Sequence, residues 1–348
     1  MHLNRIVILL FISLSLINSI ISIEPITMGA IALAGITSYF FIDKDETGKR
    51  RTTRIYDNIR NSKYLEFCSN TNIPYNIEGL KKDLQKNLFG QHIVNGTLIP
   101  ALRSHINNLE RSQKPLVMSF HGLPGTGKNY VADMIVKHFY LAGDQSQFVH
   151  KYSAQIDFPL ESEVDFYRIQ LKEYVINSVK ACDRSIFIFD EVEKMPSGIF
   201  ESITSLLDHH SHINGVDFRK SIFIFLMNAG GKEIANALNY IMSKGKYREQ
   251  TGLNDFEEIA ETAAYNVGGL RGASMITSSL IDHFLPFLPL ERRHVEKCVE
   301  AEFRKLDKIP TKEQIREIVD DYVSYNGIFS KMGCKRLSKK VAVMVEEW

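Results

Sequence analysis

The sequence predicts an α/β protein of the P-loop NTPase type: a mainly parallel sheet flanked by helices, followed by a small C-terminal helical domain. Three observations predict it. GLPGTGKN at 122–129 sits between a β-prone run and a helical one, a strand SIFIF ends in Asp190 and Glu191, and a second SIFIF strand ends at Asn228.

The first element is the run PLVMSFH at 115–121, short and β-prone. After the loop, Val131, Ile135, Val136 and Phe139 recur at helical spacing. Strand, glycine loop and helix are the context a phosphate-binding loop requires. Its glycines let successive backbone N–H groups turn inward around phosphate oxygens, and the helix N-terminus adds its dipole. Gly122, Leu123, Pro124, Gly125, Thr126, Gly127 and Asn129 form this cradle, and Lys128 reaches the β- and γ-phosphates of ATP. The bare pattern is not rare, so its context decides.

Residues 185–191 supply that context as a buried-type strand closing on two carboxylates. Asp190 at the strand end holds hydrated Mg²⁺, and Glu191 beside it polarises an attacking water. Thirty-eight residues past Asp190, the second strand ends at Asn228, a polar group placed to contact the γ-phosphate. A small-molecule kinase needs no water-activating acid after the metal-binding Asp, so Glu191 points to hydrolysis.

The chain has 348 residues, which suggests two domains, and a formal net charge of +1 from 42 Lys+Arg against 41 Asp+Glu. That balance gives no electrostatic footprint for nucleic acid. Hydrophobic residues at 44% and charged ones at 24% exclude wholesale disorder. Charge is sparse at the start, where residues 1–42 carry only Arg5 and Glu24.

Arg5 followed by the apolar run 6–23 reads as a secretory signal peptide over 1–22, cut after Ser22. A second uncharged stretch, 26–42, falls within a hydrophobic segment at 23–43. At 17 residues it is short for a span, and it reads as membrane-associated because Lys49, Arg50, Arg51 and Arg54 follow and meet anionic headgroups. The alternative is a helix buried in the protein's own core. A linker at 44–63 leads to the large nucleotide-binding domain at 64–285 and the small helical domain at 286–348, where TKEQIREIVDDYV fits a helix. The C-terminal VEEW is not a retrieval signal, so retention in the secretory route falls to the apolar segment or a partner.

The four cysteines, Cys68, Cys182, Cys298 and Cys334, form no C-x-x-C pair and suggest neither zinc nor a thioredoxin motif. An oxidising lumen permits disulfides, in any of three connectivities. Asn95 in Asn-Gly-Thr is the one candidate for N-glycosylation.

With these motifs in hand, the chain resembles the torsin family, lumenal relatives of the Clp/HSP100 AAA+ ATPases. The resemblance runs from about residue 24 to the C-terminus. It rests on EPITMGAIALAGI, NLFGQH (87–92), GLPGTGKN, ACDRSIFIFDEVEKM (181–195), GVDFRKSIFIFLMNAGG (215–231), SSLIDHFLPFLPLERRHV (278–295) and FSKMGCK (329–335). Asn129 after the P-loop lysine and GCK in place of a G-A-R sensor 2 are themselves torsin-like. The resemblance implies an AAA+ fold, with NLFGQH against adenine, Asn129 and Asp190 at Mg²⁺, Asn228 as sensor 1 and Lys335 as sensor 2. It implies the pairings Cys68–Cys182 and Cys298–Cys334, the second close enough to Lys335 for its oxidation state to bear on nucleotide affinity.

One departure from the Clp pattern matters. Where Clp-type rings carry F-L-N-R-I-D, this chain has Leu280 at the arginine's place, with Arg271, Arg292 and Arg293 off register. An arginine finger contributes on the order of 10³–10⁵ in rate. Self-associated copies should therefore hydrolyse ATP weakly. The resemblance implies an activator, the lumenal AAA+-like domain of a lamina-associated-polypeptide-type membrane protein, which supplies the arginine in trans. It also implies residence in the endoplasmic reticulum lumen and perinuclear space, with membrane organisation or chaperone-like remodelling as output. No aromatic-hydrophobic-Gly pore loop follows the P-loop helix, so polypeptide threading is not expected. The rival reading is a membrane scaffold gated by nucleotide, with incidental hydrolysis.

Overall fold

The computed structural model describes residues 66–347 apart from Ser211, Val323, Ser324, Gly327 and Lys331. The expected signal peptide, apolar segment and linker lie outside these residues. Among the described residues no helix is long and apolar enough to cross a membrane.

Two helices open the fold, α1 (Ile77–Asn87) and α2 (His92–Asn107). Asn76 caps α1 by accepting the Gly79 N–H at 2.8 Å. Then come β1 (Leu116–Gly122), α3 (Lys128–Phe139), β2 (Val149–Ser153), α4 (Val164–Ala181), β3 (Ile186–Asp190) and β4 (Ile222–Met227). The large domain ends with α5 (Gly231–Ser243), α6 (Glu257–Asn266) and β5 (His283–Phe287).

The five strands form one sheet in the order β2-β3-β4-β1-β5, and every pair is parallel. Buried on both faces, such strands read as nearly continuous apolar runs. The repeated SIFIF shows the alternation that the sheet sorts. Ile186, Ile188, Ile222 and Ile224 pack with α1, α2 and α3 on one face. Phe187, Phe189, Phe223 and Phe225 point to the other, where Leu171 and Val175 of α4 lie. There the rings form two stacked rows across the strands, His150–Phe187–Phe223 (4.8 and 4.7 Å) and Tyr152–Phe189–Phe225 (5.1 and 5.2 Å).

Helices α7 (Arg292–Lys305), α8 (Lys312–Tyr322) and α9 (Leu337–Glu347) pack around Val295, Val299, Phe303, Ile318 and Val341 as the small domain. β5 runs two residues past the 285/286 boundary expected from sequence, because Phe287 pairs with Gly122 and is fully buried under the sheet. Both disulfides implied by the resemblance are present, Cys68–Cys182 and Cys298–Cys334. The first closes on the residue between α4 and β3, and the second joins α7 to the turn before α9. The Asn95 sequon lies in the first turn of α2, half-buried with its Oδ1 shielded, not on the exposed loop that glycan attachment favours.

Candidate nucleotide site

Because the strands are parallel and in register, the carboxyl ends of β1, β3 and β4 emerge at one edge of the sheet. The P-loop, Asp190 with Glu191, and Asn228 meet there, where open α/β sheets bind their ligands. They line a cavity of about 580 Å³, completed by Leu88 and Phe89 from the NLFGQH segment and by Cys298, Cys334 and Lys335 from the small domain. That volume is in the range of small-molecule sites.

Lys128 is 6% exposed, and its ammonium donates to Gly122 O (2.7 Å), Leu123 O (3.1 Å) and Asn228 Oδ1 (3.0 Å). All three N–H donors thus have acceptors. Burial pushes its pKa down to about 8, against the pull of the Glu193 and Asp190 carboxylates. Asn129 follows in the first turn of α3 and donates from Nδ2 to Asp190 Oδ2 at 2.6 Å. Asp190 Oδ1 accepts the Glu191 N–H at 2.9 Å.

Glu191 stands in the left-handed region, φ 56° and ψ 41°, which a residue with a Cβ adopts only when its surroundings hold it there. The turn carries its carboxylate into the cavity wall, where Lys194 Nζ donates to Oε1 at 2.5 Å. That hydrogen bond raises the pKa of the exposed Lys194. Gly125 is positioned by its lack of a side chain. Its φ is 79°, and a Cβ there would run into the Met332 carbonyl. The close approach lets Cys334 N–H donate to Gly125 O at 3.1 Å, so the small domain grips the P-loop by its backbone.

Of the residues expected from sequence, Pro124 to Asn129, Asp190, Glu191, Asn228 and Lys335 line the cavity, while Gly122 and Leu123 stand behind it and give their carbonyls to Lys128. An ATP molecule with Mg²⁺ fits this donor set. Lysines and the P-loop backbone line the cavity where phosphates would lie, and the Asp190 carboxylate offers the hard oxygens that Mg²⁺ takes. Asn129 turns its nitrogen toward Asp190, so it orients that carboxylate, and its own amide oxygen is the atom with which it would join the metal shell.

Leu280 is 3% exposed in the core beneath the sheet, so the place of the Clp arginine points inward. Arg292 is paired with Glu296 and Asp320, and Arg293 with Glu249 and Glu291. Among the described residues the cavity wall holds Lys128, Lys194, Lys305 and Lys335 and no arginine.

Four further residues, not singled out from sequence, hold the site. Gln91 is 1% exposed and ties the P-loop at Thr126 O (3.0 Å) to Leu288 N and O (both 2.8 Å) after β5. Arg248, 2% exposed, donates to Pro289 O (2.6 Å) and Gly90 O (2.5 Å), and burial pushes its pKa down to about 10. His121, at 0% exposure, bonds Ser119 Oγ (2.7 Å) and Ala229 O (3.1 Å). The Ala229 carbonyl only accepts, which puts the proton on His121 Nδ1 and leaves Nε2 to accept from Ser119. Glu193 bonds Asn228 twice, from Nδ2 (2.6 Å) and from the backbone N–H (3.1 Å). The signal for Glu193 was a third acid in DEVEK, and for Gln91 its place in NLFGQH; Arg248 carried none.

A model of the torsin family matches residues 62–189. A Torsin-like protein of Drosophila melanogaster is 44% identical over 332 residues, covering 93% of each chain. The chain belongs to the torsin family. A Torsin-like protein of Caenorhabditis elegans is 40% identical over 282 residues, 79% of each chain. Among solved structures, this torsin chain superposes on Saccharomyces cerevisiae Hsp104 in its ADP complex with a TM-score of 0.54 and 17% identity. The match covers 82% of this chain and 50% of the Hsp104 chain. Hsp104 with casein, in an extended conformation, gives 0.56 at 18%, covering 78% and 48%. The torsin chain thus spans about half the length of Hsp104 and shares its AAA+ fold.

Proposed function

We propose that this torsin is a lumenal AAA+ ATPase that binds ATP with Mg²⁺, hydrolyses it weakly alone, and is activated in trans. The observation that carries the reading is the convergence of Lys128, Asp190, Glu191 and Asn228 on a cavity whose described wall contains no arginine. Mg²⁺ held by Asp190 and Asn129 would offset charge on the β- and γ-phosphates. Lys128 exchanges one of its protein acceptors for a phosphate oxygen. Glu191 takes a proton from the attacking water once its carboxylate leaves Lys194, and Asn228 and Lys335 face the γ-phosphate.

The missing positive charge comes from an arginine of a lamina-associated-polypeptide-type lumenal partner. The inward-packed Leu280 supports this, since a self-associated copy offers no arginine from that position. Work is then done at the membranes of the endoplasmic reticulum and nuclear envelope, with residues 23–43 as the membrane contact. The bond from Cys334 N–H to Gly125 O supports a coupling between the Cys298–Cys334 oxidation state and nucleotide affinity. The alternative, a nucleotide-gated membrane scaffold with incidental hydrolysis, is favoured by one observation: the carboxylate of Glu191 is held by Lys194.

Steady-state ATP hydrolysis by the chain from residue 44 onward separates the two, run alone and with the partner's lumenal domain, with Glu191→Gln as the blank. A near-zero rate that rises on mixing supports activation in trans. Rapid turnover alone would overturn it, and ATP binding with no turnover in either case would leave the scaffold.

A further inference from the structure

We propose that Glu193 is a positioning residue for triphosphate sensing: its carboxylate fixes the side-chain amide of Asn228, and through it the setting of Lys128. The inference rests on the reading of this cavity as an ATP site and deepens it.

An asparagine amide has a donor end and an acceptor end of nearly the same shape, and only its partners decide which way it faces. A carboxylate only accepts. Glu193 Oε1 accepts from Asn228 Nδ2 at 2.6 Å, while Oε2 accepts the backbone N–H of the same residue at 3.1 Å. Side chain and backbone of Asn228 are thus gripped together, and rotation of the amide would set its oxygen against a carboxylate. With Nδ2 committed this way, Oδ1 faces Lys128 and accepts from Nζ at 3.0 Å. Of the three acceptors on Lys128, this is the one on a side chain; the other two are carbonyls of the P-loop itself.

When a γ-phosphate draws Lys128 away, Asn228 Oδ1 loses its partner. Without Glu193 nothing in this set of bonds would keep the amide from turning Nδ2 toward the Lys128 ammonium, where two donors repel and the lysine loses its side-chain guide. With Glu193 in place Nδ2, which carries two hydrogens, stays on the carboxylate with one still to give, and Oδ1 stays on the Lys128 side. Asn228 is the contact to the γ-phosphate, whereas Lys128 also reaches the β-phosphate, so a diphosphate should feel only a small part of the effect.

Glu193 is itself held by backbone packing. It lies in the one-turn 3₁₀ helix Val192–Lys194, against the turn Gly268–Leu270. Gly268 has φ 63°, and a Cβ there would meet Val192 O and the Glu193 backbone. A methyl group at 268 therefore displaces the carboxylate without removing it.

The test is a double-mutant cycle on the full chain, with affinities measured for ADP and for a slowly hydrolysed ATP analogue. Glu193→Ala should weaken the triphosphate by about 10-fold or more, the scale of one charge-assisted hydrogen bond, with ADP within about 2-fold. The pair Glu193→Ala with Asn228→Ala should be no weaker than Asn228→Ala alone, since one acts through the other. Glu193→Gln, isosteric and safe for folding, should recover part of the loss, as its amide oxygen accepts from Nδ2. Gly268→Ala should shift affinity in the same direction as Glu193→Ala. Additive losses in the cycle, or equal loss of ADP, would mark a merely structural role and overturn the inference. Unchanged triphosphate affinity in Glu193→Ala beside normal discrimination by the wild type would sink it alone. A wild type that binds neither nucleotide would take the ATP reading down with it.

Discussion

β3 and β4 begin alike and end differently. Their SIFIF residues are paired in one register, Ile186 with Ile222 through Phe189 with Phe225, and the paired residues are identical in type and buried in both strands. β3 stops at Asp190, whose side chain accepts the next N–H while the chain turns through the left-handed Glu191. β4 runs on through Leu226 and Met227, because β1 pairs it as far as His121 with Met227, and only then releases Asn228. The shared part buries surface. The exits divide the chemistry, charge at one and a neutral amide at the other.

The widest gap should open between the exits in turnover. Glu191→Gln is expected to cut ATP hydrolysis by about 10²–10⁴ while leaving ATP affinity in place, as loss of a general base does. Phosphate release with an activator, beside a binding measurement, checks it; a residual rate within 10-fold would make the two exits equivalent. Next comes the shared core. Phe187→Ala and Phe223→Ala should each cost about 3–5 kcal/mol. Since the rings stack at 4.7 Å, the double variant should cost less than their sum by about 0.5–1.5 kcal/mol. Urea unfolding of the four chains tests the symmetry, and very unequal single costs would break it.

A third, smaller effect is pH-dependent. His150 stacks on Phe187 in β3, and burial pushes its pKa down to about 4. Its neutral form is the one that folds, so the unfolded chain binds the extra proton between the ordinary value near 6.5 and about 4. Stability is therefore held above pH 6.5 and lost as pH falls toward 4, by up to ~1.4 kcal/mol per pH unit from this group. His150→Phe should flatten that limb of the Tm profile, and an unchanged slope would assign it elsewhere, His121 being next with a pKa also near 4. The smallest effect is at Lys194, whose exposed pairing with Glu191 is worth about 0–1 kcal/mol. Lys194→Ala should raise basal turnover by no more than ~5-fold and leave Tm unchanged. A fall in rate would show Lys194 assisting the base, not restraining it.

The two strands also show what the sequence could reveal. Alternating Ile and Phe, the glycine loop and the Asp-Glu exit are local patterns, and each landed where its spacing put it, with β1 within one residue of the run that predicts it and α3 ending at Phe139, the last of its helically spaced apolar residues. The disulfide pairings were legible only through resemblance, since four cysteines do not pair themselves. Gln91, Arg248 and His121 were not legible. Gln91 reaches a partner 197 positions away, Arg248 one 158 away and His121 one 108 away, and a lone polar residue has no period to announce its burial. Glu193 was visible as an acid, but its bond to Asn228 depends on β3 and β4 being neighbours.

The contact between Cys334 and Gly125 gives the small domain mechanical advantage over the phosphate loop. The disulfide pins the turn before α9 to α7, and the eleven residues of α9 extend from that pin for about 16 Å. A shift of the loop at Gly125 acts on the turn from which α9 departs, and a load on α9 acts back on the loop through the same turn. A probe on the last turn of α9 should therefore register which nucleotide is bound, and a partner that seizes that tip would govern how firmly the loop holds it.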